Sequence, residues 1–142
     1  MRLLDHHESI RREVTYLPTG VSATTESDDP AVAAMIREHA HAMAARMKVG
    51  ADVRIWDPVF RELFDRYRSI TLTVTPTPSG VTIVESAPDP ETVSLLWSHA
   101  AGVSEFIRTG PAGSGKATPR IAPGSPPPAP ETVAARRTAT SS

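Results

Sequence analysis

Shifted against itself by sixty positions without gaps, the chain matches itself repeatedly. Ser9-Ile10 falls on Ser69-Ile70, Thr15 on Thr75, Pro18 on Pro78, and Gly20-Val21 on Gly80-Val81. Asp29-Pro30 then meets Asp89-Pro90, His39-Ala40 meets His99-Ala100, and Gly50 meets Gly110. So many coincidences at one offset mark an internal duplication, with copies over about 9–50 and 69–110. Whatever one copy folds into, the other must fold into as well, and the two must bury their apolar faces together.

Each copy reads as a β-hairpin followed by a helix. ITLTVT, residues 70–75, alternates apolar and polar with period two, as a half-buried strand does. LPTG and TPSG place Pro and Gly where a hairpin turns, and VSATTES and VTIVES are the returning strands. Asp-Pro at 29–30 and 89–90 supplies an N-cap and a proline in the first helical position, and Gly50 and Gly110 suit the C-terminal ends. Between the copies, DPVFRELFDRYR repeats the Asp-Pro start and spaces Phe60, Leu63, Phe64 and Tyr67 as one helical face, predicting a linker helix over 57–68. The expected fold is α+β, ββα-α-ββα, with a four-stranded antiparallel sheet, helices on one face and a pseudo-twofold axis.

The repeat ends at residue 110, and composition changes there. Residues 111–142 hold seven of the fourteen prolines, and their only apolar side chains larger than Ala or Pro are Ile121 and Val133. Such a segment has little to bury against its ordering entropy, so a disordered tail is expected after a duplicated domain at 1–110. The tail carries a net +3 and the whole chain −1, leaving −4 on the domain. A mildly acidic body without a basic stripe argues against nucleic-acid binding. With no cysteine, disulfides, thiolate metal sites and a cysteine nucleophile are excluded. No apolar run approaches the ~20 residues that span a bilayer. MRLLDHHES has no signal-peptide apolar core, so a cytoplasmic product is expected as the sequence is written, with export only if the start is truncated.

The candidate site follows from the repeat. Val32, Met35, Ile36, His39, Met43 and Met47 share one helical stripe, and Leu95, Leu96, His99, Val103, Phe106 and Ile107 share another. This patterning turns both histidines toward the core, where a pseudo-twofold axis makes them equivalent. Neutral imidazole is the commonest metal ligand, and His39 and Met43, four apart, stack on one face. A His/Met set without thiolates suits copper or haem iron. The plainer alternative is two core histidines bonded to carbonyls. Arg12 falls on the strand face where Leu72 is apolar, and there it needs an anionic partner such as a haem propionate, or an edge from which to snorkel. His7, in a His6-His7 pair that the second copy lacks, is a further candidate ligand or part of a solvated terminus.

GPAGSGKAT, residues 110–118, nearly spells a phosphate-binding loop. Ala117 stands where the hydroxyl belongs, a predicted helix precedes it and Pro119 follows, so the motif is rejected. No serine triad or closely spaced carboxylate pair is assembled, and an enzyme is not expected.

HHESIRREVTYLPTGVSATTESDDP, HAHAM, RIWDPVFRELF and HAAGVSEFIRTG together resemble a group of small uncharacterised bacterial proteins. Their pattern runs from a histidine before an Ile-Arg-Arg strand, through a hairpin with Thr-Glu-Ser-Asp-Asp-Pro and a helix with His and Met four apart, to a final helix with His-Ala. The resemblance spans residues 5–110, implies the duplicated hairpin-helix fold and maps onto His7, His39, Met43 and His99. The group's N-terminal leader is missing here, and ESAPDP replaces its usual second Glu-Thr-Ser-Asp-Asp-Pro. Two readings stand open. One is a non-enzymatic protein holding copper or haem through His39, His99, Met43 and His7, with Arg12 offsetting an anionic group. The other is an interaction module that forms a homodimer and has core histidines and no ligand.

Overall fold

The computed structural model describes residues 3–49, 58–110 and 119–135. A pair of 3-10 turns kinked at His6 (Leu3–Ser9) leads into β1 (Ile10–Leu17) and β2 (Gly20–Ser27). Helix α1 (Pro30–Val49) follows, then α2 (Pro58–Asp65), β3 (Thr71–Thr77), β4 (Gly80–Ser86), α3 (Pro90–Thr109) and β5 (Glu131–Val133). Among the described residues the fold is α+β, with three α-helices and a five-stranded antiparallel sheet in the order β3-β4-β2-β1-β5.

Two-residue loops, Pro18-Thr19 and Pro78-Ser79, close the hairpins, since Leu17 pairs with Gly20 and Thr77 with Gly80. The hairpins join through β2 and β4, where Ala23 faces Ile83, Gly20 faces Ser86 and Glu26 faces Gly80. The chains approach so closely there that a Cβ on Gly20 would lie 1.9 Å from the Glu85 carbonyl oxygen, and one on Gly80 2.0 Å from that of Thr25. Only glycine fits at either position.

Burial on β1 alternates as a one-sided sheet requires: Ile10, Arg12, Val14 and Tyr16 are covered, while Glu13 and Thr15 are exposed. Helix α1 lies over β4, β2 and β3, whereas α3 lies over β2, β1 and β5 and packs against α2. One group of core residues joins Val14, Val21, Val59, Leu63, Leu96 and Trp97. A second joins Ile10, Val32, Ile36, Ala40, Val81, Ile107 and Val133. Helix α3 is capped by Asp89, which accepts from the Thr92 amide at 2.9 Å, and ends at Gly110 with φ +66°, as its Asp-Pro and Gly signals predict. Helix α2 and a 3-10 turn at Tyr67–Ser69 fill most of the expected linker helix; Asp57, the side chains of Phe60 and Phe64, and Gly50 lie outside the described residues.

Two expectations are corrected. The sheet has five strands, not four, because residues expected to be a disordered tail supply β5, with Val133 opposite Arg12 and Glu131 opposite Val14. Composition misses this because the ordering comes from a distant, preformed edge. Val133 is buried, the Ile121 amide donates to Ser98 Oγ (2.9 Å), and Arg120 reaches both Glu62 carboxylate oxygens (2.9 Å each). The second correction concerns His39, which is exposed. The buried line of α1 runs through Val32, Ala33, Ile36 and Ala40, and that of α3 through Leu96, Ala100, Ser104 and Ile107. Small Ala33 and Ala40 let α1 settle close to the sheet, which turns His39 off the contact. No described helix is long and apolar enough to cross a membrane.

Candidate functional site

A cleft of about 1000 Å³ lies beside the start of β1. Its walls come from the turns before β1, from β1 and β2, from the loop into α1, and from β5 with the residues after it. Chain order alone does not foretell that meeting. The lining is strongly acidic: Glu8, Glu13, Glu26, Asp28 and Asp29 face Arg11 and Arg12, with His6 and His7 at the base.

The histidines are held differently. His7 bonds through Nδ1 to the Ile107 carbonyl at 2.8 Å, and its ring lies where a Cβ on Gly110 would fall, so it is clamped to the end of α3. With the proton on Nδ1, its Nε2 keeps a lone pair. The backbone carbonyl of His6 accepts from Ser9 Oγ at 2.9 Å. Its Nε2 is buried and has no hydrogen-bond partner among the described residues. A buried polar atom left unsatisfied costs free energy, and it marks a place where a ligand group has something to gain.

The carboxylates are partly engaged. Arg11 pairs with Asp28 at 2.7 Å and Glu26 at 3.7 Å. Glu26 also accepts from Thr77 Oγ1 (2.7 Å) and Ser79 Oγ (3.0 Å), and these bonds, aided by Arg11, hold its carboxyl below the usual carboxylate range. Asp29 caps α1 through the Ala31 amide at 2.9 Å. Glu13 is exposed.

Behind the cleft, Arg12 enters the core. Its Nε donates to Ser104 Oγ (3.0 Å), one Nη to Thr25 Oγ1 (3.2 Å) and the other to the Ala100 carbonyl (3.2 Å). No carboxylate lies within ion-pair distance among the described residues, and burial lowers its pKa to about 10. Glu131 of β5 accepts from Tyr16 Oη and from Ser104 Oγ (3.3 Å) and lies 3.6 Å from Arg108. Burial and the bond to Glu131 push the Tyr16 hydroxyl well above its ordinary value. Glu85, half-buried on the same covered face, has no hydrogen-bond or ion-pair partner among the described residues, and burial raises its pKa to about 7.

Of the residues expected from sequence, Arg12 and His7 line the cleft together, and His39, Met43 and His99 do not. His99 is half-buried on α3. Met43 packs against the core around Val59, Leu63 and Trp97, and the side chain of Met47 lies outside the described residues. Among the described residues, no three His, Asp or Glu side chains are grouped to hold a metal ion. The sequence offers the His6-His7 pair as a candidate, and the cleft's carboxylates come from the charge-dense stretches HHESIRRE and TESDDP, whose meeting at one cleft is not a local property of either. Comparison of the chain with family models, with curated proteins and with solved structures returns no match.

Proposed function

We propose that this chain is a binding protein without catalytic activity, and that its ligand is a small organic cation held in the cleft beside β1. The observation carrying the reading is that five carboxylates line one cavity of ligand size together with His6, whose Nε2 is buried and unsatisfied. Carboxylates lining a low-dielectric concavity focus a negative potential that draws in an ammonium or guanidinium group. There an N–H donor makes charge-assisted bonds to Glu8 and Glu13, and in its Nδ1–H form His6 accepts another. Arg11 opposes such a ligand little, because Asp28 and Glu26 already hold it.

A metal is the second reading, and one contact favours it. A histidine that gives Nδ1–H to a backbone carbonyl, as His7 does to Ile107, has the outer-shell arrangement typical of metal-ligating imidazoles. The cleft beside β1 does not include His39, Met43 or His99, so it lends no support to a copper or haem site on those residues.

We also read the architecture as a duplication about a pseudo-twofold axis between Ala23 and Ile83. Supporting it, helices α1 and α3 begin at Pro30 and Pro90 and each spans 20 residues. The Ser27 amide donates to the Ser79 carbonyl, and sixty positions on the Ala87 amide donates to that of Thr19. His6 and His7 have no counterpart in the second half, so one cleft per chain is expected.

Thermal-shift and calorimetric titrations with spermidine, agmatine and arginine methyl ester, set against citrate, haemin and Cu²⁺, test the reading. An amine at ~100 times its dissociation constant adds roughly 2.7 kcal/mol of stability. That gain should shrink with added salt and weaken in Glu13→Gln. A response to Cu²⁺ or haemin alone, or to none of the six, rejects the cation.

A further inference from the structure

We propose that the free edge of β3 is an interaction surface for a second copy of this chain, with β3 pairing antiparallel to the partner copy's β3 about a twofold axis at Thr73. β3 is the terminal strand of the sheet, and among the described residues nothing pairs with its outer side.

The backbone arithmetic is specific. Thr77 and Gly80 flank a two-residue loop and so exchange hydrogen bonds. Alternation from that pair turns the backbone groups of Thr75, Thr73 and Thr71 toward β4, and those of Pro76, Val74 and Leu72 outward. Pro76 has no N–H to offer, which closes the edge at that end. Leu72 and Val74 each keep a donor and an acceptor. When Thr73 faces its own copy, Leu72 meets Val74 twice, and the four outward groups of Leu72 and Val74 on each strand are satisfied by four hydrogen bonds.

The side chains agree with the same register. Thr71 then faces Thr75 and Thr73 faces Thr73 on the outer surface, where all three are exposed. On the helix-covered side, half-buried Leu72 meets half-buried Val74. Threonine pairs and aliphatic pairs both favour antiparallel neighbours, and a strand without charge brings no like charges together. Edge strands that stay single commonly carry lysine or inward charge to prevent this, and Thr71–Thr77 carries neither.

The fold already makes the same addition at its other edge. Arg12 and Val14, sixty positions before Leu72 and Val74, are the residues that β5 covers. One edge is closed by the chain's own C-terminal segment, and the matching edge is left for a copy.

The protein has no cysteine, which makes the test clean. The full-length chain should elute with light-scattering mass approaching twice 15.2 kDa as concentration rises from micromolar to hundreds of micromolar. Thr73→Lys and Thr73→Glu each place like charges across the axis and should weaken association by about 100-fold. An equimolar mixture of the two should restore the dimer, which also shows that both variants fold. Oxidised Thr73→Cys should run as a covalent dimer. A wild-type monomer over the whole range, a dimer that survives Thr73→Lys, or a dimer in which Thr73→Cys fails to cross-link overturns the proposal.

Discussion

Arg37 and Trp97, sixty positions apart on α1 and α3, do the same work with different chemistry. The Trp97 indole N–H is shared between the carbonyls of Leu17 (3.0 Å) and Gly20 (2.8 Å). Arg37 gives Nε–H to Gly80 (3.1 Å) and Nη2–H to Thr77 (2.7 Å) and Pro78 (2.9 Å). Each helix therefore ties down the hairpin of the other half. Trp97→Phe removes the indole donor from two carbonyls that keep their hairpin ladder bonds, and should cost about 0.5–1.5 kcal/mol in urea unfolding. Arg37→Met, at a half-buried site that water reaches, should cost less than half of that. Equal losses would mean that burial does not govern the clamp.

The two close approaches of β2 and β4 give a paired prediction. Gly20→Ala and Gly80→Ala each drive a methyl group into a backbone carbonyl and should destabilise by more than about 3 kcal/mol. Similar values from the two variants would match the similar distances. A mild effect from either would show that the ladder opens there at little cost.

Deleting residues 119–142 should lower the melting temperature by several degrees. Burying Val133 alone is worth about 1.5–3 kcal/mol, before the lost bonds of Glu131 and the reopened β1 edge are counted. Calorimetry of the truncated chain against the full chain measures it, and an unchanged transition would return this segment to the role of a loose tail.

Glu85 sets a pH dependence. Its folded pKa of about 7 lies above the usual carboxylate value of 4.5, so the folded state holds this proton more tightly than the unfolded chain does. The carboxyl thus favours folding at low pH, and this advantage is lost progressively as pH rises from about 4.5 to 7. Glu85→Gln should leave stability near pH 4 almost unchanged and raise it at pH 8 by on the order of 1–3 kcal/mol. A gain that is the same at both pH values would place the cause elsewhere.

The parts of the fold legible in the sequence are those with local causes. Asp-Pro at 29–30 and 89–90 marked both helix starts to the residue, and the Pro/Gly hairpins fell where turn chemistry put them. Residues governed by distant partners were not legible. Arg12 read as an anomaly opposite Leu72, with an edge position as the plain explanation; β5 covers that edge, so the guanidinium is buried and turns to Ser104 and Ala100. His39 and Ala40 are adjacent, and a face drawn through the larger residues favoured the histidine. The sheet selected the alanine, because close approach rewards small side chains. The cleft was hidden for the same reason: its walls come from opposite ends of the chain.

The bond from Tyr16 to Glu131 joins groups 115 positions apart. A ribosome therefore finishes the first strand long before it makes the segment that shields it, and the nascent molecule must wait with that flank bare. A chain stopped ahead of residue 131 would carry a first strand whose outer edge is open to pairing with neighbours.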